Sequence, residues 1–140
     1  MGKPFLKILT VAIFVSTLAS VVFARGPGIS TDFYRNLPPP RLKYPITDQA
    51  VLTGKDFLEF QWGSNDLSGI DHYDFRLYKG YNTYADNLML KKELSSDTGS
   101  IKIEAALFEN NQVYTWTLRQ IFLSGAKSDL SFNSFRVIKE

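Results

Sequence analysis

The chain has 140 residues, no cysteine, one histidine and a formal charge of +2. Without cysteine there are no disulfides and no thiolate metal centres, and a single histidine excludes a multi-histidine metal framework. The near balance of charge excludes the broad basic surface that a nucleic-acid binder needs.

In chain order, Lys3 and Lys7 come first. An apolar run then extends from Ile8 to Phe23, broken only by Thr10, Ser16, Thr17 and Ser20. Val22-Phe23-Ala24 supplies small residues at the positions a signal peptidase reads, so residues 1–24 have the layout of a secretory signal peptide. The run falls short of the roughly 20 residues of a comfortable membrane span. Membrane contact is therefore expected only through this segment, and only if it stays uncleaved. The expected location is outside the cytoplasm, either secreted or in the periplasm and cell envelope. Cleavage removes Lys3 and Lys7 and leaves a chain of balanced charge.

Residues 25–40 read as a linker. Gly26, Pro27 and Gly28 are followed by Pro38-Pro39-Pro40, whose fixed φ favours a stiff, extended polyproline II spacer. Phe33, Tyr34 and Leu37 are apolar enough to cover part of the domain that begins at Arg41.

From Arg41 onward, short alternating stretches punctuated by turn residues predict strands. They lie over 41–44, a short edge piece at 50–52, and then 57–62, with Leu58, Phe60 and Trp62 on one face. The next is 72–79, with Tyr73, Phe75 and Leu77 inward and Asp74, Arg76 and Tyr78 outward. A poorly patterned strand is expected over 88–94, competing with a helical turn within 84–94 that Ala85, Leu88 and Met89 favour. Residues 100–105 alternate Ile101 and Ile103 against Lys102 and Glu104. The clearest strand is 113–122, with Tyr114, Trp116, Leu118 and Phe122 on one parity. A last strand over 132–138 closes the chain. The pattern is that of an all-β, two-sheet sandwich of about seven antiparallel strands.

These residues resemble a fibronectin type III domain of the kind found in exported bacterial proteins. Trp62 ends one strand, and Asp66-Leu67-Ser68-Gly69-Ile70-Asp71-His72-Tyr73 is similar to the bacterial loop that leads to a tyrosine in the next. Leu107 and Tyr114 stand where that family has a leucine before, and a tyrosine opening, its sixth strand. Gly125, Ser128 and Ser131 loosely match the hairpin after it. The resemblance covers residues 41–140 and implies an immunoglobulin-like sandwich with Trp62, Tyr73, Leu107, Tyr114 and Trp116 as structural core. The interval from Leu107 to Tyr114 is one residue longer than usual, so Phe108 is the alternative occupant of the leucine's place. The Tyr114 hydroxyl is expected to reach a backbone group of the preceding turn, a tyrosine corner.

Candidate chemistry is sparse. Asn65, Asp66, Ser68 and Asp71 gather oxygen donors in one loop, but their spacing does not match an EF-hand, and capping of the turn accounts for them. No Gly-x-Ser-x-Gly elbow surrounds a serine. Glu59 and Asp74 are the carboxylates a small hydrolase would need, though outward carboxylates on strands are usually solvated. The strongest binding candidate is the run of Tyr78, Tyr81, Asn82 and Tyr84, because tyrosine offers a flat apolar face and a hydroxyl. The expectation is a non-catalytic module with no metal and no small-molecule cofactor, acting as a binding or structural component of the cell envelope. Its partner would be a protein or a glycan, not nucleic acid. A carbohydrate-binding module using the tyrosines and a carboxylate-dependent hydrolase are the alternatives.

Overall fold

A computed structural model of the protein describes residues 37–64 and 68–140. The expected signal peptide, most of the linker, and Asn65 and Asp66 lie outside the described residues.

Eight strands are present among the described residues: β1 (Arg41–Tyr44), β2 (Gln49–Val51), β3 (Phe57–Gly63), β4 (Ile70–Lys79), β5 (Leu88–Ser95), β6 (Ser100–Glu104), β7 (Val113–Phe122) and β8 (Ser131–Ile138). They form a three-stranded sheet, β1-β3-β6, and a five-stranded sheet, β2-β8-β7-β4-β5. The inner faces meet across one hydrophobic core, giving an immunoglobulin-like two-sheet sandwich. The two-sheet sandwich agrees with the expected fold; among its eight strands the β2–β8 pair is parallel and the other pairs are antiparallel. The cause is a change of sheet within residues 41–51. β1 pairs with β3, then the chain turns through the cis Tyr44–Pro45 peptide and continues as β2 on the opposite sheet. The Pro45 carbonyl accepts hydrogen bonds from Trp116 Nε1 and Asn133 Nδ2, both at 3.0 Å, which pins this crossing to β7 and β8.

The core follows from the alternation of each strand. Leu58, Phe60 and Trp62 of β3 face Tyr73, Phe75 and Leu77 of β4 and Tyr114, Trp116 and Leu118 of β7, and all of them are buried. Phe60 touches Phe75, Trp116 and Phe135 edge to face, with ring centroids 5.2, 5.1 and 5.9 Å away. Trp62 meets Tyr73 at 5.6 Å.

The segment 84–94 divides. A single 3-10 turn occupies Ala85–Asn87, and β5 follows directly. The weak pattern of β5 reflects its place at the sheet edge, where the five-stranded sheet overhangs the three-stranded one. Leu90 and Leu94 reach the core, whereas Lys92, on the same parity, stays exposed. At the other boundary, residues 37–40 are attached to the sandwich rather than forming a free spacer. Pro40 is buried, its carbonyl accepts from Ser131 Oγ, and the Leu37 carbonyl accepts from the Asp129 N–H at 2.9 Å.

Leu107 does not enter the core. It is 41% exposed, while Phe108 is 1% exposed and packs edge to face on Tyr114 at 5.0 Å. The 3-10 turn Ala105–Leu107 supplies the reason, since it rotates the chain so that the residue just after the turn points inward. The longer interval before Tyr114 therefore moves the anchor by one residue. The tyrosine corner forms: the Glu109 N–H donates to the Tyr114 hydroxyl at 2.8 Å.

One inward position on β7 carries a polar side chain. Gln120 is fully buried beside Tyr73, its cross-strand neighbour, and its side-chain amide has no hydrogen-bond partner. The buried Trp62 indole N–H is likewise unpartnered. An orphaned buried amide costs about 1–3 kcal/mol.

Three outcomes are expected from thermal and denaturant unfolding. Gln120→Met, which keeps the volume and removes the amide, raises stability by about 1–2 kcal/mol, and a lower midpoint would contradict an unpaired amide. Trp62→Ala lowers stability by about 3–5 kcal/mol, so a melt that matched wild type would remove Trp62 from the core. Burial raises the Tyr114 phenol above its ordinary value of 10.0, and the Glu109 N–H opposes this in part. The unfolded chain thus releases this proton first. The stability linked to it is intact below pH 10.0 and falls as pH rises above that value. Tyr114→Phe should flatten that alkaline fall, and an unchanged slope would show that other groups cause it.

Candidate functional site

The outer face of the five-stranded sheet carries most of the polar and aromatic side chains singled out from the sequence. Cross-strand register places Glu93, Asp74 and Arg119 in one row, Lys91, Arg76, Thr117 and Phe132 in the next, and Tyr78, Thr115 and Ser134 in a third. This face is only partly solvated. Thr115 and Thr117 are buried, and Tyr78 is 5% exposed. Tyr78 points outward as its parity requires, but it forms the floor of the face rather than a contact surface. Its expected role as a binding residue is corrected on that ground.

The segment after β4 meets this face at Thr115 and borders its grooves through Tyr81 and Thr83. Gly80 adopts φ +90°, a conformation that glycine reaches at little cost, and turns the chain back over the sheet. Its N–H donates to the Val113 carbonyl at 2.8 Å, and its carbonyl accepts from Thr115 Oγ1 at 2.7 Å. Thr115 Oγ1 also shares a 2.7 Å hydrogen bond with Ser134 Oγ. The turn is thereby fixed to β7 and β8.

Past this turn the remaining tyrosines separate. Tyr81 and Tyr84 are 69% and 70% exposed, and Asn82 is exposed between them. Tyr81 borders a cleft of about 380 Å³ that Asp48, Gln49, Ser134 and Arg136 also line. Tyr84 and Asn82 do not line it. The predicted four-residue cluster is therefore not one site: one ring is a floor, one borders a cleft, and one stands on the surface before the Ala85–Asn87 turn. Residues of β2 and β8, distant in sequence, complete the cleft, and no local pattern near Tyr81 marks them.

A smaller groove of about 90 Å³ lies further along the same face, between Asp74, Arg76, Tyr78, Thr83, Thr117, Arg119 and Leu130. Its charges are partly satisfied internally. Arg76 donates to Asp74 through Nη2 at 2.8 Å and through Nε at 3.2 Å. The bonds to Asp74 first, and then to Tyr78, hold the Arg76 guanidinium above its ordinary value. Arg119 Nε is buried without a partner.

The carboxylates considered for hydrolysis do not form a pair. Glu59 projects from the outer face of the three-stranded sheet and Asp74 from the outer face of the five-stranded sheet, so the core separates them. Asp71 Oδ2 lies 2.7 Å from His72 Nδ1, and Ser95 stands opposite His72 in register. The elements of an acid–imidazole–hydroxyl relay are thus adjacent, yet Ser95 Oγ donates to Asp97 instead. Of the loop donors, Asp71 is engaged by His72 and Ser68 lies on the surface, while Asn65 and Asp66 are outside the described residues.

The serine of the β7–β8 hairpin has a structural task. Ser128 Oγ accepts from the Gln120 N–H at 2.9 Å and donates to the Asp129 carbonyl at 2.8 Å, next to the turn at Gly125.

No protein-family model matches this chain, and no curated protein does. Among solved structures it is similar to an α-L-rhamnosidase from Dictyoglumus thermophilum, with 22% identity and a TM-score of 0.57. The match covers 74% of this chain and only 13% of that one. Identity at this level speaks to the fold, and a sandwich of this kind hosts many roles. The chain is thus an immunoglobulin-like β-sandwich that corresponds to a small part of that larger protein.

Proposed function

We propose that this protein is an exported, non-catalytic fibronectin-III-like module that acts as a binding or structural component of the cell envelope. The observation that carries this reading is the set of exposed rings on and around the five-stranded sheet: Tyr81, Tyr84 and Phe132, the last 66% exposed. Large rings held in water on a rigid scaffold suit contact with a partner.

Other features agree. Trp62 at the end of β3, Tyr73 in β4 and the Tyr114 corner support membership in the fibronectin type III group over other sandwiches. Leu37 sits by Asp129, alongside the C-terminal half of β7 next to the Ser128–Gln120 bonds, and the Lys139 N–H is bonded to Asn110, ahead of the start of β7. Chain entry and exit therefore lie toward opposite ends of β7, which suits a spacer that transmits position along a chain of modules. The basic and apolar layout of residues 1–24 supports export. A glycan as the partner is the second reading, favoured by the cleft beside Tyr81.

One experiment tests the module and its location together. The full chain, tagged at its C-terminus, is expressed in a bacterial host, fractionated and weighed by intact mass. The expected product begins near Arg25, leaves the cytoplasm and retains an envelope component. Tyr84→Ser with Phe132→Ser should fold with an unchanged melting midpoint and lose that component. A cytoplasmic product that retains Met1, or capture indifferent to both substitutions, would overturn the reading.

A further inference from the structure

We infer that the cleft beside Tyr81 binds a polyhydroxylated pyranose ring, with the sugar face stacked on Tyr81 and its hydroxyls bonded to Asp48, Gln49, Ser134 and Arg136. This rests on the reading of the protein as a binding module and names one site and one ligand class for it.

The cleft is built rather than incidental. Tyr81 is carried by the Gly80 turn, whose N–H and carbonyl are both bonded to β7. Arg136 Nη1 donates to the Asn111 carbonyl at 2.6 Å and to Asn111 Oδ1 at 3.2 Å. Asn111 is itself held at φ 61°, in the left-handed region that asparagine tolerates. The Asp48 carbonyl accepts from the Arg136 N–H at 2.8 Å, and the Gln49 carbonyl accepts from Thr47 Oγ1 at 2.8 Å. The backbone that presents each lining group is thus fixed before any ligand arrives, which reduces the ordering cost of binding. The volume of about 380 Å³ falls within the range of small-molecule sites.

The chemistry of the lining selects the ligand. Asp48 offers only acceptors, Arg136 only donors and Gln49 both, while Ser134, whose O–H is committed to Thr115 Oγ1 because that hydroxyl donates to the Gly80 carbonyl, offers an acceptor. Among the described residues the side chains of Asp48 and Gln49 have no hydrogen-bond partner. An anionic ligand would face Asp48, a cationic one would face Arg136, and an apolar one would leave the side chains of Asp48 and Gln49 without water or partner. Hydroxyl groups donate and accept at once, so neighbouring hydroxyls on one ring can serve all four residues. The C–H face of that ring matches the exposed face of Tyr81. An extended peptide is the weaker fit, because the adjoining edge strand β2 has three residues and offers few backbone bonds to an added strand.

Both tryptophans are buried, so tryptophan emission is a poor reporter at this cleft. The purified full chain is instead screened on an array of oligosaccharides. Its hits are titrated by calorimetry and by two-dimensional NMR with labelled tyrosine rings. At least one neutral glycan should bind and move the Tyr81 ring resonances. Tyr81→Ala and Asp48→Asn should each weaken it by about tenfold or more with the melting midpoint unchanged, while Tyr84→Ala should bind as wild type. Retention of full affinity by Tyr81→Ala would place the site elsewhere and overturn the inference. Absence of any glycan binding at millimolar concentration would overturn it too. Neither result touches the envelope-capture experiment, whose failure is read separately through Tyr84 and Phe132.

Discussion

The ring of Phe60 is the contact on which the sandwich depends. It projects from the middle strand of the smaller sheet and meets Phe75, Trp116 and Phe135 from three neighbouring strands of the larger one. Phe108, from the connection before β7, closes the group at 6.4 Å. Edge-to-face packing of this kind adds about 0.5–1.5 kcal/mol per pair to the burial of apolar area. It also sets the angle and spacing at which the sheets meet, because each ring can occupy the pocket left by the others in few ways. Without disulfides, this packing and the Trp116–Pro45 hydrogen bond are what tie the two layers together.

A consequence of that arrangement is a mismatch in width. Three strands cover five, so β5 lies at a flank with a partly uncovered inner face, whereas β2 at the other flank turns its inward side chain, Ala50, into the core. On the β5 side the overhang is protected by charge, with Lys91, Lys92 and Glu93 along the edge, a common defence of edge strands against pairing. On the β2 side the strand is short and parallel to β8, and the segment before it, at Asp48, comes close to Arg136. The Gly80 turn lays Tyr81 over this flank. The cleft lies on the outer face, where this turn meets β2 and β8, and the side chains at its rim make it polar.

The same turn accounts for part of the burial of β7, at Thr115. A central strand with one solvated face should show alternating burial, yet residues 113–118 are buried on both faces. Thr115 and Thr117 tolerate this because they are small, and because Thr115 commits its hydroxyl to the Gly80 carbonyl and Ser134. Tyr78 is covered along with them. A polar outer row becomes a second, smaller packed layer, and the aromatic side chains able to meet a partner are displaced to its borders.

Much of the architecture was legible in the chain. Alternation identified the strands at 57–62, 72–79, 100–105 and 113–122, because one-sided burial imposes a period of two that composition alone can display. It failed where burial is not one-sided. β5 was ambiguous because an edge strand has half a core to face, and the short edge piece that is β2 showed no sign of its parallel pairing, because its partner is at the far end of the chain. Gln120 passed unnoticed because its parity, and not its chemistry, puts it inside. Leu107 and Phe108 were separable only by the rotation of a single 3-10 turn, which two adjacent apolar residues do not encode visibly. The residues beside Tyr81 were invisible for a related reason: Asp48, Gln49, Ser134 and Arg136 are ordinary surface residues until β2 is laid parallel to β8. The sequence by itself determined which side chains must leave water and hence the two-layer fold, since the hydrophobic effect acts on residue type and local period. Tertiary structure alone decided which polar side chains meet, because that depends on pairing between segments far apart in the chain, on which local periodicity is silent.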